Sequence, residues 1–258
     1  MADGNAMQEE NLSADSLKNS QACESFAAGL KELGIVLSDR QMDQFLEFYL
    51  LMYEKNKVMN LTAITEFDQV IQKHFLDSLL IARHVDMGKI SNVLDMGTGA
   101  GFPGIPLKIV YPDIHFTLTD SLNKRILFLN DVIEKCGLRN IDAVHSRAED
   151  LGSNKKYREV YDLVVSRAVA NLSTLSEYCI PFVKTGGMFV SYKSAAVDEE
   201  YRAAEHAIQI LGGQSTGPVH DRIPGTDLDR SFVVIRKVKN TPKRYPRKAG
   251  LPGKEPIQ

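Results

Sequence analysis

The stretch Val93 to Leu107, VLDMGTGAGFPGIPL, gathers glycine and proline behind a short apolar run. Bare backbone of this kind lets a ligand approach closely. Two spacings overlap in it. Gly99, Gly101 and Gly104 satisfy G-x-G-x-x-G, a dinucleotide-binding turn, whereas Asp95, Gly97, Gly99 and Gly101 satisfy D-x-G-x-G-x-G, a loop that holds S-adenosylmethionine. A P-loop is excluded, because Ile105 and Pro106 follow Gly104 where Lys and Ser/Thr are required. Pro103 and Pro106 suit the first turn of a helix, whose free N–H groups are expected to face an anionic group.

Two acids frame the loop. Asp95 precedes it at a strand end, where a carboxylate repels a pyrophosphate but suits a ligand carrying an ammonium and a sulfonium. Asp120 ends the next strand, 23 residues after Gly97, the spacing at which a carboxylate accepts ribose hydroxyls. That second feature marks a nucleoside and is shared by both cofactors. Glu149, in SRAED, either lines an adenine pocket or caps a helix.

The residues absent from the chain narrow the chemistry. Methylating a ring carbon requires a cysteine nucleophile, yet Cys23, Cys136 and Cys179 occupy no strand-end turn. They also lack C-x-x-C spacing, so neither a zinc site nor a disulfide framework is indicated. An exocyclic amine acceptor usually meets a [DNS]-P-P-[YFW] turn after the fourth strand, where this chain has VVSRAVANL. A ring nitrogen with an exposed lone pair needs no deprotonation, and in-line placement then carries most of the catalysis.

The elements that must position these residues form an alternating series. Residues 92–96, 115–120, 141–146, 161–166, 186–192 and 231–238 read as strands, separated by helical segments that include KRILFLNDVIEKCG, closed by Gly137. Such alternation predicts an α/β fold with a mostly parallel sheet covered on both faces, and ligands at the carboxyl ends of its strands. Before it lies a small helical region, 23–88. There Gly34 stops one helix, Ser38 and Gln41 form a capping box for the next, and a third runs from Glu66 to His84. Residues 1–22 are polar and acidic and are expected to be disordered. The core of the prediction is a domain over 89–238.

The 258 residues carry a net charge of only -2, but unevenly. Residues 239–258 hold Lys239, Lys243, Arg244, Arg247, Lys248 and Lys254 against Glu255 alone. A local basic patch on a neutral body points either to RNA or to a solvated tail. No apolar run is long enough for a membrane helix, and the expectation is a cytoplasmic, monomeric protein without a metal.

With those motifs in hand, YEKNKVMNLTAI, KHFLDSL, VLDMGTGAGFPGIPLKI, FTLTDSLNKRILFL, SRAED, VVSRAVA and PKRYPRKAGLPGKEPI together resemble the small-subunit ribosomal RNA methyltransferase G family, also called glucose-inhibited division protein B. The resemblance runs from about residue 23 to the end. It implies a Rossmann-like fold dependent on S-adenosyl-L-methionine, and methyl transfer to nitrogen 7 of a guanosine in the 530 loop of bacterial 16S rRNA. Carried across, cofactor contacts fall on Gly97, Phe102, Ala148, Glu149 and Arg167, with Asp120 and Ser121 near the ribose by spacing. Arg167 faces either cofactor or target base. Asn60, His74, Asp77 and Ser78 fall near the site mouth. Lys73, His74, Lys124, Arg125, Lys193, Arg244, Arg247 and Lys248 are the candidate RNA contacts. Two competing readings stay open from the residues: an NAD-dependent oxidoreductase using Gly99, Gly101 and Gly104, and a non-catalytic RNA-binding or ribosome-assembly module.

Overall fold

The computed structural model describes residues 13–167, 170–194 and 196–258. Their strands are β1 Asn92–Met96, β2 His115–Asp120, β3 Ile141–His145, β4 Tyr161–Ser166, β5 Val183–Ser194, β6 Gly213–Gln214, β7 Pro218–Arg222 and β8 Asp229–Lys237. They form a sheet of order β3-β2-β1-β4-β5-β8-β6, with β7 added against β8. The pairs among β1 to β5 are parallel and those of β8 antiparallel. Chain direction across the sheet reverses between β1 and β4. That switch point opens a crevice at the strand ends, where such sheets bind ligands.

Both sheet faces are covered, so the central strands read as unbroken apolar runs instead of alternating ones. Leu163 and Val165 of β4 enter one core while Val164 enters the other. The first core also holds the N-terminal helices: α1 Ala14–Lys18, α2 Gln21–Glu32 and α3 Asp39–Met59. The helical region is therefore a layer on the sheet, sharing its core. The Ser38–Gln41 capping box opens α3, and Gly34 at φ +70° follows the end of α2.

Four expectations are revised. Residues 1–12 of the acidic stretch lie outside the described residues; residues 13–22, expected to be disordered with them, carry α1 and the start of α2. Ser13 and Ser16 form a capping box, and Leu17 buries itself in the core. The uniform helix over 66–84 is instead a broken run: α4 Phe67–Val70, a π-helical turn Ile71–Leu76, α5 Asp77–Leu79 and a 3-10 turn Leu80–Arg83. Strands β6 and β7 are not among the expected ones; Pro218 is tolerated as the first residue of a strand at the margin of the sheet. The basic segment after β8 is not a trailing tail. It folds back, ends in a helical turn α11 Leu251–Lys254, and buries Tyr245.

The remaining helices are α6 Gly104–Val110, α7 Asn123–Lys135, α8 Ala148–Leu151, α9 Leu172–Cys179 and α10 Asp198–Ile210. Among the described residues no helix is long and apolar enough to cross a membrane.

Candidate active site

The turn between β1 and α6 is left-handed at Gly97, Gly99 and Gly101, with φ of +72°, +63° and +100°. Only glycine adopts such values freely. The amides of Gly97 and Thr98 both donate to Thr119 O at 2.9 Å, and that of Gly99 donates to Asp120 Oδ2 at 3.0 Å. Gly101 and Phe102 donate to Thr98 O, and Gly104 to Asp95 Oδ2 at 2.8 Å. The loop is thus stitched to itself and to β2. The expected free N–H groups at the helix start are already engaged, which leaves no cradle for a pyrophosphate and removes the basis of the oxidoreductase reading.

Asp95 is fully buried and turned away from the cleft. Its Oδ2 also accepts from Thr98 Oγ1 at 2.6 Å, while its Oδ1 has no partner. Burial pushes the carboxyl up to about 7 against the hydrogen bonds from Thr98 and Gly104. Asp95 is therefore a staple of the loop, a correction to its expected role facing a ligand. Gly104 is glycine for a packing reason: a Cβ there would collide with Leu118 and Asp95.

Of the expected cofactor residues, Gly97, Asp120, Ser121, Ala148 and Glu149 line one cavity of about 370 Å³ at the ends of β1 and β2. Its size falls within the roughly 300–1,000 Å³ of small-molecule sites. Met96, Leu175 and Tyr178 add an apolar wall. Asp120 accepts from Leu122 N at 2.9 Å and from Arg125 Nη1 at 3.1 Å. Arg125 is thereby a partner of this carboxylate, not a free cation. Glu149 Oε1 accepts from Gly250 N at 2.8 Å, so the folded-back C-terminal segment walls the same cavity.

That segment is strapped down. Arg247 grips the buried Glu177 with Nε and Nη2 at 2.7–3.0 Å, and Arg158 donates to the carbonyls of Thr241 and Tyr245. Arg244 and Lys248 remain exposed, Arg244 stacked over Tyr245. Lys124 is also exposed, at the start of α7.

Phe102 and Arg167 do not line the first cavity. Phe102 is buried, stacked on His74 with ring centroids 4.5 Å apart, and the Arg167 guanidinium lies over the same ring at 5.0 Å. Arg167, His74, Lys73 and Lys193 instead line a second cavity of about 600 Å³, together with Asp77, Glu200 and Arg230. Ala170 borders both cavities.

A charged lattice supports this second space. Arg167 Nη1 donates to Asp77 Oδ2 at 2.8 Å and to Lys73 O at 3.2 Å; Arg230 Nε donates to Asp77 Oδ1 at 2.6 Å. Arg167 Nη2 sits 3.1 Å from His74 Nδ1. Arginine only donates, so Nδ1 accepts, and His74 Nε2 carries the proton toward Thr62 Oγ1 at 3.0 Å. Burial and the Arg167 charge hold His74 down to about 3, so it is neutral and fully bonded. Its expected part as an RNA-facing charge is revised accordingly. The π-helical turn carries Lys73 and His74, and Asp77 follows it. Of the polar residues expected near the mouth, Asn60 is the left-handed cap of α3 and Ser78 accepts from Tyr192 Oη through its carbonyl. Thr62, Glu200 and Arg230 carried no sequence signal: Glu200 is one of three acids in the first turn of α10, and Arg230 falls just before the strand expected over 231–238.

The model of the family rRNA small subunit methyltransferase G matches residues 41–222. The chain belongs to that family. It is 52% identical over 233 residues to the ribosomal RNA small subunit methyltransferase G of Lachnoclostridium phytofermentans, covering 90% of this chain and 96% of the relative. The Bacillus subtilis protein of that name is 48% identical over 235 residues, 91% and 98% of the two chains. Among solved structures, a mutant of MtNAS aligns with a TM-score of 0.51 at 15% identity over 87% of this chain and 89% of that one, a likeness of fold alone. The fold is the Rossmann-like methyltransferase fold.

The first cavity fits S-adenosyl-L-methionine. A buried carboxylate stands at the end of β2 beside a glycine turn, Glu149 adds a second acid, and the wall between them is apolar. These are the partners of a ribose, an adenine and a sulfonium, and Arg147 is the cation among the described residues of the lining.

Proposed function

We propose that this methyltransferase transfers the methyl group of S-adenosyl-L-methionine to nitrogen 7 of a guanosine in the 530 loop of bacterial 16S rRNA. Membership of the family makes it an S-adenosylmethionine-dependent methyltransferase of small-subunit rRNA. When bound, that cofactor supplies a methyl group on a sulfonium leaving group. Gly97 and Ala148 give it close backbone, Asp120 and Ser121 meet its ribose, and Glu149 lies at its adenine.

The observation that carries the nitrogen 7 reading is the state of the second cavity. Its histidine is neutral with both ring nitrogens engaged, and its buried carboxylate, Asp77, is held by two arginines. Neither is free to take a proton, the third acid of the lining, Glu200, is paired with Lys193, and a ring nitrogen with a lone pair requires no base. Arg167 joins the lattice to the loop ring Phe102, and in this reading it positions the target base from the acceptor side. Lys73, Lys124, Arg244 and Lys248 are the remaining RNA contacts, acting on phosphates, and Lys193, tied to Glu200 and the Ala170 carbonyl, meets the RNA inside the second cavity. Arg125, Arg247 and His74 act on the protein. The enzyme works as a cytoplasmic monomer.

The test is transfer of labelled methyl to small ribosomal subunits that lack this modification, followed by digestion to nucleosides. Label in 7-methylguanosine is the expected result. Label in another nucleoside overturns the acceptor, and no label on subunits or free rRNA returns the chain to a non-catalytic binding module.

A further inference from the structure

The second cavity holds two carboxylates in contrasting states. Asp77 is 2% exposed, and each of its oxygens is taken by an arginine. Glu200 is 30% exposed on its side chain, and only Oε1 is engaged, by Lys193 Nζ at 2.7 Å. Among the described residues no other donor reaches it. Lys193 Nζ is itself anchored to Ala170 O at 2.8 Å, the residue bordering the cofactor cavity. The pair therefore presents an ammonium donor next to a carboxylate with acceptor capacity to spare, fixed at the junction of the two cavities.

Of the four RNA bases, guanine alone carries an acceptor followed by two adjacent donors along its pairing edge: O6, N1–H and the exocyclic amine. Adenine presents one donor and one acceptor there, cytosine a donor followed by two acceptors, and uracil flanks one donor with two acceptors. Unstacked bases in single-stranded loops are read on this edge. We propose, resting on the reading given above, that Lys193 and Glu200 select the target guanine, the ammonium meeting O6 and the carboxylate accepting from N1–H and the exocyclic amine. This edge is not the one methylated, so recognition leaves nitrogen 7 uncovered.

The same carboxylate answers a charge problem. The nitrogen 7 lone pair forms the N–C bond while the C–S bond breaks with its electron pair left on sulfur, and no proton moves. The base thereby becomes a cation among Lys73, Arg167 and Arg230, all lining this space. Asp77 is already neutralised by its arginines. Glu200, with one oxygen on Lys193 and the other unengaged, is the remaining carboxylate of the cavity lining, and a carboxylate on N1–H draws positive charge toward itself as it develops.

The test uses the full chain with small subunits reconstituted on 16S rRNA carrying either guanosine or inosine at the target position. Inosine keeps O6, N1–H and nitrogen 7 and lacks only the amine. The wild-type protein is expected to lose at least about tenfold in kcat/KM on inosine, because a site built to bond a group rejects the analogue lacking it. In Glu200→Gln the guanosine-to-inosine ratio collapses or inverts, since a glutamine amide accepts once and confronts the exocyclic amine with a second donor. Calorimetric affinity for S-adenosyl-L-methionine stays unchanged in that variant and reports that it is folded. Equal wild-type rates on the two substrates overturn the proposal without any variant, as does a discrimination ratio that survives Glu200→Gln. Absence of 7-methylguanosine from the wild-type reaction itself overturns the reading beneath it and is seen separately.

Discussion

The cofactor cleft takes its floor from backbone and from successive strand ends, Gly97 through Asp120 and Ala148–Glu149, and is closed by Leu175, Tyr178 and Gly250. The second cavity is assembled from side chains as distant as Ile64 and Arg230, held by a lattice around one buried carboxylate. A site made of bent backbone fails when a Cβ or a missing acid disturbs the turn. A site made of paired charges fails when one charge loses its counter-ion. The two cavities meet at Ala170, so the proposed transfer needs both kinds of order in register.

The largest effect is expected at the lattice. Asp77→Ala leaves the guanidinium groups of Arg167 and Arg230 without their shared partner, and removing one member of a buried ion pair costs about 3–5 kcal/mol. Urea unfolding measures it, and a loss below about 1 kcal/mol would mean that solvent already screens the cluster. Asp120→Ala is the counterpart in the cleft. Hydrogen bonds to a charged group are worth about 1.5–3 kcal/mol, so calorimetric affinity for S-adenosyl-L-methionine is expected to fall by about 10- to 100-fold. Affinity for small-subunit rRNA at the same salt stays level. The comparison breaks if Asp120→Ala weakens rRNA binding while leaving cofactor affinity intact.

The same contrast explains what the chain made legible. The glycine turn, Asp120, the Ser38 capping box and the alternating strands are encoded within windows of a few residues, and each was read from the sequence. Asp95 was placed by spacing and Phe102 by the family resemblance, and neither gives the direction of a side chain. Asp95 points into the loop it staples, and Phe102 packs against His74. Arg247 was read as a free cation for a comparable reason: its partner Glu177 lies 70 residues earlier, and no local pattern joins them. Glu200 and Arg230 gain significance only when the sheet brings β8 and α10 beside the π-helical turn.

Two buried groups sharpen the comparison through pH. Burial raises the Asp95 carboxyl to about 7, so between its ordinary value near 4 and pH 7 the native state binds more protons than the unfolded chain. Stability from this group falls as pH rises through that window and is level above it. His74 is held down to about 3, so between pH 3 and 6.5 the unfolded chain binds more protons. Stability from it rises with pH through that window and is lost on acidification. Each slope is at most about 1.4 kcal/mol per pH unit. In urea unfolding from pH 4.5 to 7.5, Asp95→Asn is expected to gain on the wild type as pH rises, and His74→Asn to gain as pH falls. Profiles parallel to the wild type in both variants would remove either group from the acid response of the fold.

The smallest expected effect separates the two kinds of cation in the C-terminal segment. Arg244 and Lys248 are exposed and free to meet phosphates, whereas Arg247 belongs to the strap that walls the cofactor cleft. Each phosphate contact on single-stranded RNA contributes about 0.7 to the slope of log affinity against log salt. Arg244→Ala and Lys248→Ala are each expected to flatten that slope by about this amount, with cofactor affinity unchanged. Arg247→Ala is expected to leave the slope in place and to weaken the cofactor instead, since freeing the strap releases the Gly250 amide from Glu149. If all three variants shift the salt slope alike, the segment is one continuous RNA-binding strip, and its contact with the cofactor cleft is incidental.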